Sequence, residues 1–129
     1  MASSVTILIV DDLSDMRTLM NLTLKRNGWN VLEARDGQEA IDVARQHQPT
    51  IVVMDYDMPT KNGAEACREI TSDPSTAHIP VIVYTGHASA HIKEESYKAG
   101  AKQFLVKPIT PSQMRQEIQN LLNGSNLDH

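Results

Sequence analysis

The stretch Ile51-Val52-Val53-Met54-Asp55-Tyr56-Asp57-Met58-Pro59 decides the fold of this chain, because four apolar residues run directly into a carboxylate. An apolar run without polar alternation is typical of a strand that is buried on both faces, in the middle of a parallel sheet. Asp55 then lies at the carboxyl end of the strand, where open α/β sheets bind their ligands. Turn residues stop the strand there, with Pro59 and then Gly63. The sequence therefore predicts that Asp55 is a reacting group at one edge of the sheet.

Length and composition indicate one small acidic domain. The chain has 129 residues and a formal net charge of −4, and a chain of this size buries about two-thirds of its unfolded surface. Cys67 is the single cysteine, no apolar run is long enough to span a membrane, and the start lacks a secretory signal pattern. We therefore expect a cytoplasmic location without membrane insertion. Lysine and arginine are scattered, which argues against direct nucleic-acid binding.

The other apolar runs alternate with helical patterns along the chain. Besides the strand at 51–55, strands are predicted at 5–10, 29–34, 79–84 and 102–106. Helices are predicted at about 14–27, 36–46, 64–71, 89–98 and 110–122. Strands that alternate with helices through short connections predict an α/β fold, a doubly wound five-stranded parallel sheet with helices on both faces. The domain should span residues 5–123, with short tails at 1–4 and 124–129.

The helix predicted at 89–98 has the weakest apolar side. Its only clear apolar anchors are Ala88, Ile92 and Ala99. Elements that move during switching come from the least stable parts of a fold. We therefore expect this helix to be the moving element.

Polar side chains stand at or just past the ends of four predicted strands, namely Asp11, Asp12, Asp55, Thr85 and Lys107. If the strand order is 2-1-3-4-5, the three acids converge at the switch point between the first and third strands. Three close carboxylates repel one another and require a cation unless one is protonated. Oxygen ligands that leave room for water suit Mg²⁺. Thr85 and Lys107 then complete a pocket for a phosphoryl group, with Asp55 as the best candidate nucleophile.

Four motifs containing these residues occur in a fixed order: Leu8-Ile9-Val10-Asp11-Asp12, Met54-Asp55-Tyr56-Asp57-Met58-Pro59 with Gly63, Tyr84-Thr85-Gly86, and Phe104-Leu105-Val106-Lys107-Pro108. Their sequence and spacing resemble the receiver domain of two-component response regulators. The resemblance extends over about residues 5–123, and residues 11–17 are similar to the equivalent stretch of chemotaxis receivers. It implies a single flavodoxin-like domain with strand order 2-1-3-4-5.

The resemblance implies a phosphorelay module that accepts a phosphoryl group on Asp55. The donor would be a phosphohistidine on a histidine kinase or a histidine phosphotransfer protein. Asp12, Asp55 and the backbone carbonyl of Asp57 would bind Mg²⁺ directly, and Asp11 would bind it through water. Such a module takes part in its own phosphorylation and dephosphorylation but is not a metabolic enzyme.

The resemblance also implies how the signal leaves the site. Thr85 and Lys107 would contact the phosphoryl oxygens, and Thr85 would couple with the aromatic residue Phe104 as the switch. The face formed by the fourth helix, fifth strand and fifth helix would bind a downstream protein. Phe104 lacks the hydroxyl that many members have at this position, and Asp57 and His87 flank the acceptor. No output domain is recognisable after about residue 123, so we expect either action by binding alone or a place within a larger protein.

Two other functions fit parts of the pattern. Asp55-Tyr56-Asp57 also matches the nucleophile motif of Mg²⁺-dependent haloacid-dehalogenase-type phosphohydrolases. That family places this motif on the first strand and its acid pair late, whereas here the pair Asp11-Asp12 comes first. A flavin-binding domain of similar architecture would need a Ser/Thr/Gly-rich phosphate loop, which the connections lack. The receiver is therefore our leading hypothesis and the phosphohydrolase the alternative.

Overall fold

The apolar runs form the sheet at the places where the sequence predicts strands. The computed structural model describes residues 4–124. Its strands are β1 (Thr6–Val10), β2 (Asn30–Ala34), β3 (Ile51–Asp55), β4 (Val81–Thr85) and β5 (Gln103–Val106). All four neighbouring pairs are parallel, in the order β2-β1-β3-β4-β5. The predicted α/β fold and strand order are confirmed.

The helices begin at residues that can cap them. They are α1 (Ser14–Arg26), α2 (Gly37–His47), α3 (Gly63–Ser72), α4 (Ala90–Lys98) and α5 (Pro111–Leu122). Thr110 accepts a hydrogen bond from the Gln113 amide, and Pro111 occupies the first helical position, where proline favours the start of a helix. A reciprocal capping box between Asn62 and Glu65 starts α3. The start of α3 after β3 is thus fixed by hydrogen bonds.

Two apolar cores cover the two faces of the sheet. Alternate residues of a strand point to opposite faces, so β1 sends Leu8 and Val10 to one core and Ile7 and Ile9 to the other. The first core is completed by α2 and α3 and by the residues that follow α4, and the second by α1 and α5. Every residue of β3 and β4 is buried. Burial of β3 on both faces, predicted from its unbroken apolar run, is confirmed.

Some details differ from the sequence predictions. β4 begins at Val81 rather than at residue 79, because Pro80 has no amide hydrogen for a sheet ladder. Leu19, an apolar residue at helical spacing from Met16 and Met20 in α1, is nevertheless 52% exposed. Ala88 is exposed and does not anchor α4, whose one buried residue is Ser96. The weak apolar packing of α4 is nevertheless confirmed.

The predicted tails lie almost wholly outside the described residues, which begin at Ser4 and end at Gly124. Within those limits, no helix has the length and apolar character needed to cross a membrane.

Candidate functional site

The ends of β1 and β3 bring three carboxylates together. Asp11, Asp12 and Asp55 each offer an oxygen, and these oxygens lie within 4.8 Å of one another. The cause is the register of the sheet, in which Val10 pairs with Met54, so the acids that follow leave the sheet side by side. Asp11 and Asp55 are buried, whereas Asp12 is exposed. Carboxylate oxygens that are partly open to water fit the ligand preferences of Mg²⁺.

Asp55 lies close both to these acids and to a cation. Its Oδ1 accepts a hydrogen bond of 3.0 Å from the Asp57 amide, and its Oδ2 is 3.6 Å from the Lys107 ammonium. Burial raises the pKa of Asp55 to about 7, and the nearby Asp11 charge adds to this rise. The Asp57 amide and Lys107 oppose the rise in pKa. A bound cation would favour the ionised, nucleophilic form of the carboxylate for the same electrostatic reason.

The side chain of Asp57 organises the end of β4. Its Oδ2 accepts hydrogen bonds from the Thr85 hydroxyl at 2.8 Å and from the Gly86 amide at 3.2 Å. Its Oδ1 is 3.4 Å from His87 Nε2. The Thr85 hydroxyl therefore donates to Asp57 here, and movement of Thr85 towards a phosphoryl group on Asp55 would break that bond. Asp57 and His87 were expected from the sequence to flank Asp55, and these two side chains do lie close together. The hydrogen bonds of Asp57 to Thr85 and Gly86 were not foreseen from the sequence.

Phe104 lies between the core and α4. Its ring is half-buried and packs against the core on the α2 and α3 side of the sheet. The Tyr97 ring of α4 is 6.4 Å away, centroid to centroid, at a tilt of 52°. This tilted arrangement is favourable for two aromatic rings. A shift of the Phe104 ring would therefore change its contact with Tyr97 of α4.

Tyr84 was not singled out in the sequence, although it belongs to the site. It is fully buried on β4, and its hydroxyl donates a hydrogen bond to Asp11 Oδ2. The Lys107 ammonium lies 5.1 Å from the centre of its ring. Burial, followed by the Asp11 charge, raises the pKa of the Tyr84 phenol far above its ordinary value, so the phenol remains a donor. Its place beside Thr85 in the strand was the one available sequence signal.

Tyr56 is the second residue that the sequence did not identify. Its hydroxyl donates a 2.8 Å hydrogen bond to Glu95 in α4, and burial with the Glu95 interaction raises the pKa of Tyr56 to about 12. The partners are 39 residues apart in the chain. No local pattern could have paired them, yet the bond joins the residue after Asp55 to α4.

The fold and the site together define a doubly wound α/β protein with an acidic centre at its switch point. The sequence model of the response regulator receiver domain matches residues 7–119. This chain therefore belongs to the response regulator receiver domain family, whose members are phosphoacceptor switches of two-component systems rather than metabolic enzymes. The match favours the receiver over the phosphohydrolase as the interpretation of Asp55-Tyr56-Asp57.

Individual relatives are similar over most of this chain. Protein PilH of Pseudomonas aeruginosa is 36% identical over 118 residues, which cover 92% of this chain and 98% of PilH. Histidine kinase P4 of Formosa agariphila is 37% identical over 119 residues, but the chain spans only 9% of that protein. Among solved structures, the chemotaxis response regulator CheY4 of Vibrio cholerae matches with a TM-score of 0.86 at 28% identity, covering 92% of this chain and 99% of CheY4. The same domain therefore occurs both in proteins of this size and within much longer ones.

Proposed function

We propose that this receiver domain accepts a phosphoryl group on Asp55 from a phosphohistidine of a histidine kinase or phosphotransfer protein, and then changes its protein-binding face. The observation that carries the proposal is the position of Asp55. It is a buried carboxylate with oxygens of two further acids within 4.8 Å and with the Lys107 ammonium 3.6 Å from its Oδ2. Phosphoryl transfer depends mainly on positioning and charge neutralisation, and this arrangement offers both.

The transfer uses the chain's own residues as follows. An oxygen of Asp55 attacks the phosphorus while the phosphorus–nitrogen bond breaks, and the departing imidazole keeps the electron pair and takes a proton from solvent. Lys107 and Thr85 receive the phosphoryl oxygens. Asp12, Asp55 and the Asp57 carbonyl would hold Mg²⁺, with Asp11 acting through water. When bound, the ion supplies positive charge that lets two anionic groups approach.

The test is a reaction with a small phosphodonor. The protein is incubated with Mg²⁺ and acetyl phosphate or phosphoramidate, and intact mass and peptide mapping follow the gain of one phosphoryl group. Asp55→Asn should abolish uptake, while Asp42→Asn, at an exposed position of α2, should react like the parent. Uptake by the Asp55→Asn protein at the parent rate would reject Asp55 as the acceptor.

The roles within the site can be separated by two further variants. Asp12→Ala should weaken Mg²⁺ binding in a calorimetric titration, because it removes a proposed direct ligand. Lys107→Ala should leave Mg²⁺ binding nearly unchanged and slow phosphoryl uptake, because Lys107 is assigned to the phosphoryl group. An equal loss of Mg²⁺ affinity in both proteins would contradict this division.

The proposed output face consists of α4, β5 and α5. Tyr97 and Val106, on two of these elements, are large apolar residues that are 41% and 39% exposed, and exposed apolar groups of this kind mark interaction surfaces. When Thr85 moves away from Asp57, Phe104 would shift as well. That shift would displace Tyr97 and change this face. Amide exchange with and without a phosphoryl mimic should therefore differ in α4, β5 and α5. Changes confined to α1, α2 and α3 would contradict the proposed face.

A further inference from the structure

Tyr84 connects the two halves of the site. At one end, its hydroxyl donates to Asp11, one of the three clustered acids. Along its ring lies the ammonium of Lys107, which also lies 3.6 Å from Asp55. Its neighbour in the strand is Thr85, whose side chain points to the opposite face and contacts Asp57. A single buried side chain thus contacts both an acid of the carboxylate cluster and the cation beside Asp55.

The phenol gives Asp11 a fixed orientation. Asp11 is fully buried, and a buried carboxylate is stable only if donors satisfy its oxygens. Its Oδ1 accepts a hydrogen bond of 2.9 Å from the Leu13 amide, while its Oδ2 accepts from Tyr84. Hydrogen bonds to both oxygens define the plane of the carboxylate and leave further lone pairs free for a water or a cation. Without the phenol, only the Leu13 bond would remain.

The ring has a separate effect on Lys107. An ammonium group within about 6 Å of an aromatic ring centre is attracted by the negative face of the ring. Lysine side chains are otherwise flexible, so this attraction restricts the ammonium to the neighbourhood of Asp55. An aliphatic residue of similar volume would fill the same core space without this attraction. The hydroxyl and the ring therefore act on different residues and can be tested separately.

We propose that Tyr84 is a positioning residue for the phosphoacceptor site. Its hydroxyl orients Asp11 for Mg²⁺ binding, and its ring holds Lys107 beside Asp55. The inference rests on the proposed function, because it assigns both contacts to metal binding and phosphoryl transfer. A tyrosine that only fills the core would need neither its hydroxyl nor its aromatic face.

The test compares Tyr84→Phe, which loses only the hydroxyl, with Tyr84→Leu, which loses the hydroxyl and the ring. Mg²⁺ alone is titrated calorimetrically, and groups that orient metal ligands typically contribute about tenfold or more to affinity. We expect Tyr84→Phe to bind Mg²⁺ about tenfold more weakly and to react with acetyl phosphate at the parent rate once Mg²⁺ is saturating. Tyr84→Leu should remain slow at saturating Mg²⁺. Asp42→Asn, at an exposed position of α2, is the control and should match the parent.

A double-mutant cycle tests whether the phenol acts through Asp11. If it does, Tyr84→Phe should have little further effect on Mg²⁺ affinity in an Asp11→Asn background. Parent-like Mg²⁺ affinity in Tyr84→Phe, or a full tenfold loss added to that of Asp11→Asn, would overturn the positioning role. Failure of the parent to gain a phosphoryl group would reject the proposed function alone, because the Mg²⁺ titrations do not depend on it.

Discussion

The two helices that follow the central strands differ sharply in how firmly they are held. α3, which follows β3, buries Gly63, Ala64, Ala66, Cys67 and Ile70 and begins with a reciprocal capping box. α4, which follows the strand ending at Thr85, buries only Ser96, and its cap is a single 3.3 Å bond from the Ile92 amide to Ser89. Both helices begin within a few residues of the site. α3 therefore belongs to the part of the domain that we expect to hold the site residues in place, and α4 to the part that we expect to move when the site changes.

Packing gives this difference a physical basis. Well-packed apolar side chains resist displacement, whereas elements with few buried contacts open at low free-energy cost. Fixed acids suit a site that must present oxygens at set positions. A weakly anchored helix can change its position in response to a small change at Thr85 or Phe104. Four predictions test this comparison, from the largest expected effect to the smallest.

Gly63→Ala should have the largest effect on stability. A Cβ at Gly63 would lie 2.5 Å from the Asp55 carbonyl oxygen, and that carbonyl belongs to backbone that cannot yield easily. We expect a loss of about 3 kcal/mol in the free energy of unfolding, measured with urea, because the clash is buried. Gly86→Ala is the matched control on the α4 side, since nothing lies within 4 Å of its added Cβ. A comparable loss of unfolding free energy in both variants would mean that the backbone before α3 and the backbone before α4 are equally rigid.

Ile70→Ala and Ile92→Ala compare the same deletion in the two helices. Ile70 is fully buried in α3, whereas Ile92 in α4 is half-buried. Ile70→Ala should cost about 2–3 kcal/mol in urea unfolding, and Ile92→Ala about 1 kcal/mol or less. Similar losses in both variants would show that α4 is anchored as firmly as α3.

The fold was predictable because its determinants are local in the sequence. The unbroken apolar runs at β1 and β3, the Thr110-Pro111 start of α5 and the alternation of strands with helices each predict their structure. The convergence of Asp11, Asp12 and Asp55 followed from topology, because parallel strands end at one edge of the sheet.

The remaining site details depend on contacts between distant residues. The hydrogen bonds of Tyr84 to Asp11 and of Tyr56 to Glu95 join residues that no periodic pattern relates. The exposure of Leu19 and the burial of Ser96 contradict simple hydropathy. Ser96 is compatible with burial because its hydroxyl donates to the Ile92 carbonyl within the same helix. These features depend on side-chain packing, which the sequence pattern does not specify.

The third prediction concerns how the buried charge of Asp55, on the firmly packed side of the site, changes the free energy of unfolding with pH. Burial raises the pKa of Asp55 to about 7 in the metal-free protein, above an unfolded value of about 3.9. Between these values the native state binds more protons than the unfolded state, so Asp55 should lower stability as pH rises. Asp55→Asn removes the charge, and in EDTA it should exceed the parent in stability at pH 8 by about 1–3 kcal/mol. The difference should nearly vanish around pH 4.

Urea unfolding in EDTA at several pH values measures this difference, and added Mg²⁺ should reduce it at pH 8 because the ion offsets the buried charge. Asp42→Asn, at the exposed α2 position, should show no comparable pH dependence. A difference in the free energy of unfolding between Asp55→Asn and the parent that stays constant from pH 4 to 8 would show that burial of the ionised carboxylate does not destabilise the protein.

The smallest expected effect concerns the side-chain hydrogen bond between Tyr56, in the loop after β3, and Glu95 of α4. Tyr56→Phe removes the hydroxyl that donates to Glu95 at 2.8 Å. Glu95 is only half-buried, so water can replace the lost donor, and the free energy of unfolding should fall by no more than about 1 kcal/mol. The local effect should be larger than this global one, because α4 has few other contacts that hold it against the site. Amide exchange should therefore quicken in α4 while that in α3 stays at the parent rate.

Glu95→Gln should lie between the parent and Tyr56→Phe, since its amide oxygen still accepts from the phenol but without the charge that strengthens the bond. Tyr97→Phe, on the same helix but at its surface, controls for the loss of a tyrosine hydroxyl as such. If exchange in α3 and α4 quickens equally in Tyr56→Phe, the bond stabilises the domain as a whole. If exchange quickens in α4 alone, Tyr56, the residue directly after Asp55, influences α4 independently of Thr85 and Phe104. This chain, which has phenylalanine at position 104, would then have a second connection from Asp55 to the proposed output face.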